Sequence, residues 1–111
     1  MLISYYSVCV NYFTAGSATS LYTNTEIFPN IWYHVVAQHV HGVERVYING
    51  ELIAALATPN VSYKACSDAP WYFGIWWTGG MIPYKGTLDN IRIYTRAVTV
   101  EEIKWLYGNY K

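Results

Sequence analysis

Asn49-Gly50 constrains this chain more than any other pair of residues. It stands between Val46-Tyr47-Ile48 and Leu52-Ile53-Ala54, two apolar runs of strand length. A two-residue type I′ turn needs positive φ at both central positions, and Asn-Gly meets that demand at the least steric cost. The chain therefore folds back on itself here, and the turn sets the register of the two strands.

The same reading carried along the chain gives seven short strands. Residues 4–13 are rich in Tyr and Val, with Tyr6, Val8, Val10 and Tyr12 on one face and Tyr5, Ser7, Cys9 and Asn11 on the other. Ala15-Gly16-Ser17 marks a turn, and a strand over 21–27 is ended by Phe28-Pro29-Asn30. In 31–41, Trp32, His34, Val36, Gln38 and Val40 alternate with Tyr33, Val35, Ala37, His39 and His41. Both faces carry apolar groups, so this strand is expected to be central and covered on both sides. His41-Gly42-Val43 turns the chain into 44–48, and the Asn-Gly hairpin follows. Residues 58–69 read as a loop, 71–77 as an aromatic strand, 78–85 as a loop around Gly79-Gly80 and Pro83, and 88–95 as the last strand.

The period then changes. Ile103, Leu106, Tyr107 and Tyr110 make a helical stripe at i, i+3, i+4 and i+7. Thr99 and Glu102 form a capping box, in which the Thr hydroxyl accepts from the Glu102 N–H and the carboxylate reaches back to the Thr99 N–H. Val98 and Ile103 occupy the positions of a hydrophobic staple, Glu101 and Glu102 suit the positive helix start, and Gly108 suits C′.

The pattern resembles a known family. Trp32-Tyr33-His34-Val35-Val36, Arg45-Val46-Tyr47-Ile48-Asn49-Gly50, Phe73-Gly74, Gly86-Thr87-Leu88-Asp89-Asn90-Ile91-Arg92-Ile93-Tyr94 and Thr99-Val100-Glu101-Glu102-Ile103 with Leu106-Tyr107 follow in the order seen in laminin-G-like modules. The resemblance covers about residues 31–107. It implies an all-β fold, an antiparallel jelly-roll-type β-sandwich of the concanavalin A-like kind with a short C-terminal helix. It also implies one laminin-G-like domain over 1–111, an extracellular or cell-surface location, and a non-catalytic binding or adhesion role. Such modules open with several strands before the Trp-x-His strand, and those have no counterpart here. Either the chain is the C-terminal part of a larger protein, or it is a compact version whose open edges another copy covers.

Composition limits the function classes. Apolar residues make 53% of the chain and aromatic ones 18%, while charged residues make only 13%, about half the usual share. The surplus rings serve either as ligand platforms or as surface buried against a partner. Seven basic residues balance seven acidic ones with no Lys/Arg cluster, so a nucleic-acid footprint is missing. No apolar run nears the ~20 residues that span a bilayer, and Met1-Leu2-Ile3-Ser4-Tyr5-Tyr6 lacks the pattern of a signal peptide.

Candidate site residues divide by chemistry. Trp71, Phe73, Ile75 and Trp77 share one parity, and Tyr72, Gly74 and Trp76 the other. With the first set in the core, Tyr72 and Trp76 face out, and with Trp77 and Tyr84 they form the candidate ligand site. Flat rings stack on the apolar faces of sugars and also anchor protein interfaces. The expected partners are thus a glycan or protein ligand, or further copies in a homo-oligomer. The alternative role is a structural subunit that self-assembles through strand edges and aromatic patches. No strand carries the paired carboxylates that glycoside hydrolysis needs, so no enzyme is expected. No cofactor is expected either. Asn60 and Asp68 are weak calcium candidates because that ion wants six to eight oxygens. His39 and His41 have i, i+2 spacing but no third metal ligand at a telling distance. Cys9 and Cys66 are either a disulfide or two small buried apolar groups. Trp32, His34, Asn49, Gly50, Asp89, Thr99 and Glu102 are expected to be structural, with Trp32 filling the core, His34 pointing inward, and Asp89 buried among donors.

Overall fold

The computed structural model describes residues 2–3, 8–14, 17–57, 72–75 and 83–109, with side chains from Ser20 onward. The chain divides into two compact units. One joins Met1–Tyr63 to Tyr94–Lys111, and the other is Lys64–Ile93.

Among the described residues the first unit holds two antiparallel three-stranded sheets and one helix. β1 (Leu2–Ile3), β2 (Val8–Thr14) and β3 (Ser17–Tyr22) pair in that order. β4 (Val35–Val40), β5 (Val43–Ile48) and β6 (Glu51–Ala57) form the second sheet, also in sequence order. Two turns of the same kind build it. His41 and Gly42 have φ of 47° and 74°, and Asn49 and Gly50 have 52° and 83°. Each pair has the positive φ that suits the right-handed twist of the flanking strands. The Asn-Gly hairpin expected from the sequence is therefore present, with Ile48 opposite Glu51. A register shift between Val46 and Tyr47 interrupts the β5–β6 ladder.

Asn49 does more than turn the chain. Its N–H donates to the His34 carbonyl at 2.8 Å, and its Oδ1 accepts the His34 N–H at 3.0 Å. This two-bond clasp extends the β4–β5 pairing one position past Val35 and Ile48. The side chain takes the place of a ladder carbonyl where β4 begins, at Val35 rather than at residue 31.

β5 is buried on both faces, the property the sequence suggested for β4. Val46 and Ile48 pack with Leu21 of β3, flanked by Ile27, Tyr33, Val35, Ile53, Ala54 and Leu56. On the opposite face Tyr47 packs with Val98 and Ile103, beside Val36. That face is covered by α1 (Val100–Asn109).

The start of α1 follows the sequence reading closely. The Thr99 N–H donates to Glu102 Oε2 at 2.7 Å, and the Glu102 N–H donates to Thr99 Oγ1 at 3.1 Å. Val98 and Ile103 share a buried cluster, which is the staple. Arg96 adds a two-pronged contact to the same carboxylate, at 2.9 and 2.7 Å. The Arg96 bonds first, and the Thr99 N–H second, hold the Glu102 carboxyl down at about 2. Gly108 lies inside the helix rather than at C′.

Other expectations give way at positive φ. The strand expected over 21–27 ends at Tyr22, because Asn24 at φ 53° breaks the pleat. No strand forms among described residues 72–75 or 83–99. Gly74 at 76° and Asn90 at 51° interrupt the two segments expected to be extended. Asp89 is exposed for this reason, and its Oδ1 accepts the adjacent Asn90 N–H at 2.8 Å. Trp32 is 67% exposed, because it precedes β4 and lies outside the pleat that would turn it to the core.

Candidate functional site

Within the second unit, one backbone contact gathers the aromatic residues. The Tyr84 N–H donates to the Gly74 carbonyl at 2.8 Å. This ties 72–75 to the segment that begins at Pro83. Tyr72 is 41% and Tyr84 38% exposed. Phe73 and Ile75, assigned to the core by strand alternation, are exposed too. Left-handed Gly74 removes the alternation on which that assignment rested. The apolar surface offered here is therefore wider than the sequence implied. Trp76 and Trp77 lie outside the described residues.

The Tyr84 ring lies close to the Gly86 backbone. A Cβ built at Gly86 would meet Cε1, Cζ and Oη of Tyr84 at 2.8 Å. That is nearer than such atoms approach in proteins, so a larger residue at position 86 would push the Tyr84 ring aside. Sequence reading marked Gly86 as part of a family motif and not as the seat of Tyr84.

In the first unit, one acidic side chain is fully buried. Glu44 has 0% relative exposure and pairs through Oε1 with His39 Nδ1. The two residues are direct partners across β4 and β5. Glu44 shares the inner face with Val46 and Ile48, whereas sequence reading set it beside a turn. The available signal was its parity with those residues. A buried carboxylate needs a partner, and His39 supplies one. That use accounts for His39, while His41 sits in the turn at φ 47°. Among the described residues no group of three or more His, Cys, Asp or Glu side chains could hold a metal ion. Asn60, Asp68 and Cys66 lie outside the described residues, and of Cys9 only the backbone, in β2, is described.

His34 is half-buried, and its ring stacks on Tyr107 of α1 with centroids 6.1 Å apart and planes at 29°. It thus joins the start of β4 to the helix. No helix among the described residues is long and apolar enough to cross a membrane.

Comparison with known proteins places this geometry. A laminin-G-type family model, described as the concanavalin A-like lectin/glucanases superfamily, matches residues 6–104. The match reaches well before Trp32, where the quoted motifs begin. Among solved structures, an S-layer domain-containing protein from Clostridium thermocellum is similar in fold, with a TM-score of 0.62 at 20% identity. The alignment covers 91% of this chain and 51% of that one, so the chain spans about half the length of its structural neighbour. No curated protein matches.

Proposed function

Because the chain belongs to the concanavalin A-like lectin/glucanases superfamily, we propose that it is a non-catalytic, surface-exposed binding module that takes carbohydrate on the aromatic surface around Tyr72 and Tyr84. Trp76 and Trp77 extend that surface in this reading, and the complete jelly-roll sandwich is its scaffold. The observation that carries the proposal is the Tyr84–Gly74 contact. It gathers two aromatic segments while leaving Tyr72, Phe73 and Tyr84 exposed. Exposed rings offer flat apolar faces with polar edges, which is the chemistry of a sugar platform. Two of the described acids are engaged in structural contacts. Glu44 is committed to His39 and Glu102 to the helix cap.

A glycan array followed by calorimetry tests the proposal. Tyr84→Ala is expected to weaken binding about tenfold, the change that 1.4 kcal/mol produces. Gly86→Ala is expected to weaken it by displacing the ring while removing no aromatic group. Full binding in both variants, or no binding to any glycan, would sink the reading.

A second reading is a structural subunit that self-assembles at a cell surface. Its support is a fold neighbour titled as S-layer domain-containing, together with a second sheet in which, among the described residues, β6 pairs with β5 alone.

A further inference from the structure

Asn49 is singled out by its chemistry as well as by its place in the turn. The side-chain carbonyl carbon of an asparagine can be attacked by the backbone nitrogen of the next residue. The attack is easiest before glycine, which has no side chain to crowd that nitrogen. Every other asparagine in the chain precedes Tyr, Thr, Ile or Val. Asn24, Asn30 and Asn90 share its positive φ but precede Thr25, Ile31 and Ile91. Two contacts restrain the reaction in the fold. The clasp directs Asn49 Oδ1 across the sheet to the His34 N–H, and closing a ring onto the Gly50 nitrogen gives that bond up. Gly50 is itself buried, with α1 lying over it. A Cβ built at Gly50 would stand 3.3 Å from Tyr107 Cδ1 and 3.7 Å from Lys104 Cγ. The His34 ring stacks on that same Tyr107, so clasp and cover meet at one place.

We propose that Asn49 is a self-modification site, with water as its co-reactant, and that undocking of α1 sets the rate. The Gly50 nitrogen gives its proton to solvent base and bonds to Asn49 Cγ. The bond from Cγ to the side-chain nitrogen breaks, and that nitrogen takes up a proton and leaves as ammonia. Water then opens the resulting cyclic imide at one of its two carbonyls, giving aspartate or isoaspartate. The net exchange is ammonia for water, and nothing is oxidised or reduced. The aspartate product keeps an oxygen for the His34 N–H. The isoaspartate product carries an extra methylene group in the main chain, so the turn loses the register that sets Ile48 opposite Glu51. An isoaspartyl chain cannot re-form the clasp. Position 49 thereby records the time that the helix has spent away from the sheet.

Peptide mass mapping of the full chain, incubated at mildly alkaline pH, follows conversion at position 49, and enzymatic methylation of isoaspartate identifies that product. The folded parent is expected to convert at least about tenfold more slowly than the chain unfolded in urea. Ile103→Ala loosens the helix and is expected to speed conversion about tenfold or more, the factor that 1.4 kcal/mol of easier opening gives. Tyr107→Ala removes the ring over Gly50 while keeping the buried Ile103 and Leu106, and it is expected to accelerate conversion as well. It decides the question if Ile103→Ala does not fold. His39→Ala acts on the other face of the sheet, away from the helix, so its rate is expected to stay within about twofold of the parent's. Equal acceleration in His39→Ala and the helix variants overturns the gate, because global unfolding alone would then expose the site. No acceleration in a helix variant that circular dichroism shows to be folded overturns it as well. Conversion as fast in the folded parent as in urea overturns the protection by clasp and helix. An Asn49 that stays unmodified in urea overturns the site itself.

Discussion

Truncating Ile103 tests whether the helix seals the sheet. Ile103 has no exposed surface and lies between Tyr47 of β5 and Val98 of the staple. Ile103 and Leu106 are the buried residues of the helix, so Ile103 carries a large share of its docking. Burial of a side chain this size contributes about 1.5–3 kcal/mol. Ile103→Ala also leaves a cavity, which brings the expected loss to about 2–5 kcal/mol. Ile103→Val removes one methyl group and is expected to cost about 0.5–1.5 kcal/mol. Trp105 is the internal control. It sits on the same helix but is 63% exposed, so Trp105→Ala is expected to change stability by less than about 0.5 kcal/mol. Urea unfolding followed by far-UV circular dichroism measures all three, and an unchanged slope keeps the comparison two-state. At about 4–8 °C per kcal/mol, Ile103→Ala should lower the melting midpoint by about 10 °C or more. A loss below 1 kcal/mol in Ile103→Ala, or an equal loss in Trp105→Ala, would refute the assignment of the buried face.

Three further outcomes follow from described contacts. Asn49→Ala loses the bond to the His34 N–H and the side chain that best tolerates φ 52°; it should cost about 1–2 kcal/mol in urea titration, with Asn49→Gly recovering the backbone share. His39→Ala takes away one partner of a fully buried carboxylate and should cost about 1–3 kcal/mol. A double-mutant cycle with Glu44→Gln should show non-additivity, and strict additivity would mean the pair is not coupled. The third outcome concerns acid. Glu102 is held at about 2, below its ordinary 4.5. Its contribution to stability is therefore complete above pH 4.5 and lost as pH falls through 2. Carbon NMR of the Glu102 carboxyl checks this directly, and Arg96→Ala should move its titration back toward the ordinary value.

Legibility in the sequence followed the range of the interactions involved. The Asn49-Gly50 turn and the Thr99–Glu102 cap are set by neighbours a few positions apart and were readable, the cap with its hydrogen bonds; the clasp of Asn49 on His34 was not, because its partner lies 15 positions away. Alternation predicted 35–40 well, because every residue there has strand geometry. It failed over 72–75 and around 90, where one left-handed residue reverses the sidedness of all that follow. Gly74 is permissive at any φ, so its presence alone does not announce the break. The pairing of Glu44 with His39 depends on hairpin register. That register is set by the two-residue turn at His41-Gly42. At the candidate site, the exposed rings were legible as residue types. Their gathering by the Tyr84 N–H and the seating of Tyr84 on Gly86 were not, because both depend on loop geometry.

The two back-to-back turns also bear on the order of folding. No pairing within the second sheet, the His34–Asn49 clasp included, spans more than 15 positions along the chain. Closing such short loops costs little entropy, and contacts of this kind form early. Docking of Ile103 on Tyr47 spans half the chain, so its loop is long and its closure late. The meander from β4 to β6 is thus the natural nucleus, and the helix is the latch that closes over it. Substitutions at the turns should then slow folding, whereas substitutions under the helix should mainly hasten unfolding.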